Sequence, residues 1–363
     1  MTKWKYWGMV AVAALWLGIA LIAWVKIPDA LSLQERRPLA QFPEVRLENV
    51  GNGKFMEDFE SYTLDQFPGR NMFRRLKALT HYYVFWQGDN NGIYLTQGQA
   101  AALEYPLREN SVDRAVKLMS GLQEKYFPDS RVFVSVVPDK GYYLASANGY
   151  PAMDYEKLFA KMAAMKNTSY VNLTDCLSGE DYYSTDTHWR QERLFNAAGR
   201  LCTALDIPAP RQEEYRAVAA AEPFYGVYYG QAALPLKPDR LYTLESELMD
   251  QCRVYNYETG ATIGIYDREK LKGDDLYEVF LSGSVSLLTI ENPVAETDRE
   301  LIVFRDSFGS AIAPLLVQGY KTVTLVDIRY LSSAMLGRFL DFHGQDVLFL
   351  YSTIVLNNSE TLK

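Results

Sequence analysis

The chain opens on one unbroken hydrophobic run. Twenty residues between Lys5 and Lys26 carry no charge. A helix of that length, rising 1.5 Å per residue, crosses a hydrocarbon core of about 30 Å. Tyr6, Trp7 and Trp24 stand at its ends, where interfacial aromatics sit. A cleaved signal peptide has a shorter apolar core and a small-residue site behind it. Here the run ends Ala-Trp-Val-Lys-Ile-Pro, with no A-x-A and no nearby cysteine for a lipid. The pattern predicts a cytoplasmic stub over 1–5, an uncleaved transmembrane signal anchor over 6–25, and the remainder outside the cell membrane. Lys3 and Lys5 favour that orientation, and Lys26, Arg36 and Arg37 oppose it. A long domain is translocated largely regardless of its charge.

Residues 26–75 read as a stem, broken by Pro28, Pro38, Pro43, Gly51 and Gly53. Phe55, Phe59, Tyr62 and Phe67 form a loose helical face, and a second helix is predicted over 71–86. The main domain is expected over 76–363. In it, helical periodicity over 112–126, 155–165, 189–205, 311–318 and 331–342 alternates with short apolar runs. Those runs lie at 131–137, 170–173, 301–305, 322–326 and 347–351. Short doubly buried strands alternating with helices predict an α/β fold, a parallel sheet in three layers. Residues 222–285 break the rhythm and read as a β-rich or irregular insertion, with a hairpin turning at 258–261.

Sites on an open parallel sheet form beyond the C-terminal strand ends. Pro138-Asp139-Lys140, the loop 181–188, Asp306-Ser307-Phe308-Gly309, Asp327-Ile328-Arg329-Tyr330 and Ser352-Thr353 follow the five strands. Asp186-Thr187-His188 with Ser307 is the sharpest constellation. In an extended loop, residues two apart point the same way. Asp186 then orients the His188 ring, as the base of a serine nucleophile requires. Ser307 stands at a strand-to-helix junction, its hydroxyl exposed and a helix N-terminus behind it. Plainer roles fit the same residues: Asp186 as a cap for a helix starting near Trp189, His188 as a surface ring, Ser307 or Ser310 as an N-cap. No G-x-S-x-G is present, so the α/β-hydrolase nucleophile elbow is not indicated. Ser282-Gly283-Ser284 is a further candidate, a small-residue loop whose backbone N–H could approach an oxyanion, although a plain turn has the first claim. Lys140, Arg329 and Tyr330 are candidates to place substrate in the same cleft, with a structural salt bridge as the alternative.

Composition narrows the class. A net charge of -8 with no Lys/Arg cluster excludes a nucleic-acid partner. The 26 tyrosines suit a sugar-facing groove or, with first claim, a large core. Cys176, Cys202 and Cys252 are an odd, scattered set, giving no disulfide scaffold and no zinc signature. One bridge with one free thiol remains open, as do three free thiols. One histidine beside one aspartate is too small a ligand set for a metal, so no metal and no cofactor are expected.

Several segments together resemble a known family. Asp186-Thr187-His188-Trp189 resembles the motif of the DHHW proteins of Gram-positive bacteria, themselves similar to the SGNH-hydrolase-like proteins of alginate O-acetylation. Matching stretches are 55–73, VPDK (137–140), FYGVYYG (224–230), TIENP (289–293), RDSFG (305–309), VDIRYL (326–331) and LFLY (348–351). Thr187 replaces the motif's first histidine, and Ser284 stands where the family pattern has asparagine. The resemblance implies an SGNH-like domain with the permuted order Asp186, His188, Ser307. It further implies an O-acetyltransferase anchored in the membrane. Such an enzyme would draw acyl groups from a multi-spanning membrane O-acyltransferase and modify an envelope glycan or exopolysaccharide. A carbohydrate esterase with the same triad, or a non-catalytic scaffold subunit, are the alternatives.

Overall fold

The computed structural model describes residues 3–32 and 34–363, so residues 1 and 2 of the expected stub lie outside the described residues. These form two compact units, one of 3–91 with 229–235 and one of 92–228 with 236–363.

The first unit begins with α1 (Lys3–Val25). Its stretch Trp4–Val25 has a mean hydropathy of 2.3, no residue buried, and the length and composition to cross a membrane. After a short helical turn at Leu47–Gly51 come α2 (Lys54–Asp65) and α3 (Arg70–Leu79), the latter continuing as a wider turn over Thr80–Val84. Phe42, Phe55, Phe59 and Tyr62 pack together as one aromatic group. Arg37 grips Asp65 with both guanidinium nitrogens, at 2.8 and 2.6 Å, and this pairing draws the carboxyl down to about 2.

The second unit is built on an eight-stranded sheet. Its strands are β1 (Val132–Val137), β2 (Ser169–Val171), β3 (Arg253–Asn256), β4 (Ala261–Ile263), β5 (Leu287–Glu291), β6 (Glu300–Arg305), β7 (Thr322–Val326) and β8 (Asp346–Ser352). The spatial order is β4-β3-β5-β7-β6-β8-β1-β2. The five strands read from sequence are mutually parallel and contiguous. β5, β3 and β4 extend the β7 edge in antiparallel fashion.

Alternation along the strands sorts the core into two layers. Leu301, Val303, Leu348 and Leu350 point to one side, with α6 (Phe195–Leu205) and α7 (Gly309–Ile312). Ile302, Phe304, Val347 and Phe349 point to the other, with α4 (Glu109–Tyr126) and α5 (Tyr155–Ala163). Helices thus cover both faces. Six tyrosines, at 94, 182, 183, 277, 320 and 351, are almost wholly buried. Part of the tyrosine content therefore builds core, while Tyr83, Tyr105, Tyr225 and Tyr330 are exposed, and all three cysteines are free thiols.

Three helices are shorter than their periodicity predicts. Trp189 pairs with Tyr182 as a β-bridge, and α6 starts only at Phe195. The 311–318 segment is a single α turn that tightens into a 3-10 helix over Ala313–Gly319. Pro314 there has no N–H for an i→i−4 bond. The 331–342 segment keeps only a 3-10 stretch, Ser333–Arg338, in which Leu336 alone is buried. The segment 222–285 does not stand apart from the sheet. Strand Arg216–Phe224 pairs with Asp239–Glu245 outside it, while the β3–β4 hairpin joins its edge.

Candidate active site

The chain leaves β6 for β7 on one side and returns as β8 on the other. Such a reversal opens a crevice at the C-terminal strand ends, and Ser307 is the second residue beyond β6. Two buried groups shape its turn. Asp306 accepts the Phe308 N–H at 3.0 Å on one oxygen and the Ser352 N–H, from the end of β8, at 2.7 Å on the other. Gly309 packs on the strand below, where a Cβ would stand 2.6 Å from Cβ of Arg305. This is the packing reason for the Arg-Asp-Ser-Phe-Gly sequence.

The second piece is a tight loop closed by the Tyr182–Trp189 bridge and by the Tyr183 N–H donating to the His188 carbonyl. At its tip, Asp186 Oδ1 accepts the His188 N–H at 3.0 Å and lies 2.6 Å from His188 Nδ1. His188 Nε2 lies 2.8 Å from Ser307 Oγ. With Nδ1–H donated to the carboxylate, Nε2 turns its lone pair to the serine hydroxyl. Asp186 is wholly buried, His188 is 8% exposed and Ser307 is half-buried. The fully buried Trp189 ties the pieces together by donating Nε1–H to the Phe308 carbonyl at 3.1 Å. Asp186 caps no helix, because α6 begins nine residues later.

Sequence reasoning passed over the support of Asp186. Its second oxygen accepts the Val227 N–H at 2.8 Å, and the Gly226 N–H donates to Thr185 Oγ1 at 2.9 Å. Tyr228 donates its hydroxyl to Thr187, the residue in place of the motif's first histidine. The Gly226-Val227-Tyr228 segment thus cradles the Asp-x-His loop. Asp239 accepts the Ser184 and Thr185 N–H groups and holds the loop from below.

The remaining candidates differ from expectation. Lys140 is buried, and its ammonium donates to the carbonyls of Ala100, Tyr183 and Ser184. Burial lowers its pKa to about 7 against the pull of Asp186, Asp239 and Asp139. It holds the histidine loop rather than facing a cleft. Arg329 forms a bidentate pair with Asp327 at 2.9 and 2.6 Å, which is the structural salt bridge. Although burial opposes it, this partner raises the arginine pKa. Tyr330 is exposed, its ring under the Arg329 guanidinium. The Gly283 N–H is donated to the Phe280 carbonyl at 3.1 Å, so it is not a free oxyanion donor. Leu281, Ser282 and Gly283 all have φ between 53° and 75°, a left-handed run that costs free energy for the two non-glycines. Arg305, fully buried, donates to the Gly283 and Val285 carbonyls and fixes that loop to the end of β6. Ser284 is exposed on it.

A family model described as DHHW protein matches residues 138–326, which span both pieces of the site. A DHHW family protein from Eubacterium siraeum superposes with a TM-score of 0.61 at 21% identity, covering 75% of this chain and 95% of that one. Bacillus cereus PatB1 bearing a sulfonyl adduct gives 0.57 at 16%, covering 73% and 95%. The O-acetyltransferase domain of Pseudomonas putida AlgJ gives 0.45 at 14%, covering 73% and 92%. No curated protein matches the chain in sequence.

Proposed function

The chain belongs to the DHHW protein family, and from that premise we propose that it is a membrane-anchored, extracytoplasmic acyltransferase acting on hydroxyls of a cell-envelope glycan. The observation that carries the reading is the continuous hydrogen-bonded chain Asp186–His188–Ser307.

In this reading His188 Nε2 takes the Ser307 proton as Oγ attacks the acyl carbonyl carbon. Asp186 keeps the imidazolium in place and stabilises its charge. The imidazolium returns the proton to the departing donor group, leaving an acyl ester on Ser307. A sugar hydroxyl then attacks that ester, gives its proton to Nε2, and leaves as the acylated product while Ser307 regains its proton. Acetyl is the acyl group we assign, in keeping with the family resemblance. A multi-spanning membrane O-acyltransferase is the donor we assign. The SGNH-like, permuted order of the triad and the anchor at 6–25 belong to the same proposal.

The test is incubation with an aryl acetate, with and without an envelope oligosaccharide, followed by mass measurement of protein and sugar. One acetyl group on Ser307, passed to the sugar, is the expected result. Acetate release that the sugar never competes with would make the protein an esterase. No acyl adduct under any condition would remove the enzymatic reading.

A further inference from the structure

The His188 ring is not held by hydrogen bonds alone. Tyr277 lies flat against it, with ring centroids 3.8 Å apart and planes 8° from parallel. Phe308 meets the imidazole at 5.1 Å and 54°. Tyr277 is 3% exposed and sits in a short turn, Leu276–Val279, whose start is fixed by Asp275 accepting the Tyr277 N–H. Phe280 and Tyr183 pack around it in turn, at 4.9 and 6.4 Å. Its hydroxyl is buried and has no hydrogen-bond partner among the described residues. Burial first, then nearby Asp186 and Asp306, keep that phenol protonated. The contact between Tyr277 and His188 is therefore ring on ring, with no hydrogen bond between the two side chains.

We propose that Tyr277 is a positioning residue for the acyl-transfer step, acting through the face of its ring. The inference rests on Ser307 being the nucleophile and His188 its base. A flat ring at van der Waals distance restricts rotation of the imidazole about Cβ–Cγ. Nδ1 stays aimed at Asp186 and Nε2 at Ser307. When the serine proton moves to Nε2 the imidazole becomes a cation, and the negative face of the tyrosine ring attracts it. The restraint pre-orients the base before the reaction, and the attraction is larger in the transition state than in the resting enzyme, so both belong in the rate rather than in binding. No hydrogen bond to Tyr277 is involved, and phenylalanine should serve as well.

The experiment is single-turnover sulfonylation of Ser307 by an aryl sulfonyl fluoride on the full chain in detergent. Wild type is compared with Tyr277→Phe, Tyr277→Met and Tyr277→Leu. Tyr277→Phe should react within about threefold of wild type. Tyr277→Met and Tyr277→Leu should lose about 10- to 100-fold in maximal rate with an unchanged half-saturating concentration. Circular dichroism should match wild type for all three. If wild type itself does not label at Ser307, the acyl-transfer reading fails and this inference with it. If wild type labels but the Met and Leu variants react as fast, or Tyr277→Phe is as slow as they are, the inference alone is overturned. Failure of both non-aromatic variants to fold would make Tyr277 a structural residue and overturn it equally.

Discussion

Gly226 approaches Asp186 so closely that a Cβ on the glycine would stand 2.2 Å from the aspartate's own Cβ. No pair of real side chains tolerates that distance. The glycine is required by close approach, and not by backbone conformation. Through this contact the backbone at 226–227 reaches Asp186 Oδ2, and the carboxylate is held between Val227 and His188.

Gly226→Ala should therefore displace the carboxylate without disturbing the sheet. Misplacement of a catalytic group by about 1 Å costs on the order of 100-fold in rate. Ser307 labelling by a sulfonyl fluoride should slow by about that factor, with far-ultraviolet circular dichroism retained. Labelling at the wild-type rate would show that the aspartate's position is not critical.

The parallel strands were legible because doubly buried segments such as Val132–Val137 and Asp346–Ser352 are apolar at nearly every position. Asp186, His188 and Ser307 were legible because a parallel sheet gathers whatever follows its strands. The reason for Gly226 was not, since it lies in a residue forty positions away. The role of Lys140 and the place of Tyr277 were not legible for a related reason. Whether a lysine lines a cleft or bonds buried carbonyls depends on the packing of segments 100–102 and 183–184 around it. Local sequence holds no record of that packing. Helix lengths failed where β-bridge pairing at Trp189 or the missing N–H of Pro314 outweighed periodicity.

Lys140 sets a pH dependence of stability. Burial lowers its pKa in the folded state from 10.5 to about 7. Between those values the unfolded chain binds the proton and the folded chain does not. Stability from this group therefore rises with pH, at up to about 1.4 kcal/mol per unit. The penalty is full below about pH 7 and is relieved as pH climbs towards the unfolded value. Glu104, whose pKa burial and then Asp139 push up to about 7, acts in the window below. Urea unfolding of wild type and Lys140→Met between about pH 7 and pH 9 isolates the lysine. Wild type should gain on the variant across that range, and parallel curves would mean that Lys140 stays charged.

The apolar α1 helix gives an expectation for topology. Protease added to intact protoplasts should remove everything after about residue 26, while a cytoplasmic marker survives. The N-terminal fragment should remain with the membrane after carbonate washing. If the main domain is protected together with the marker, the chain is oriented the other way. If the N-terminal helix is lost from the mature protein, 6–25 is a signal peptide.

Asp186→Asn tests the triad more sharply than removal of the side chain. In the wild type three donors converge on this carboxylate: the His188 N–H, the His188 ring Nδ1–H and the Val227 N–H. An asparagine offers one acceptor oxygen and one NH2 group. If its oxygen faces His188, its NH2 meets the Val227 N–H, donor against donor. If it turns over, its NH2 faces Nδ1, which can then only accept, and the proton moves to Nε2. That tautomer presents a donor to Ser307 and cannot take its proton. Either arrangement leaves a backbone N–H unsatisfied, that of Val227 in the first and the buried one of His188 in the second, a cost of about 1–3 kcal/mol in stability. Only the second should also lower the rate of Ser307 acylation, by about three to four powers of ten. A lowered denaturant midpoint with the labelling rate kept points to the first, and a lowered midpoint with the rate lost points to the second. A cap at a helix start would have accepted asparagine with little loss of either. A variant that keeps wild-type stability and wild-type rate together would mean that Asp186 neither orients the histidine nor depends on Val227.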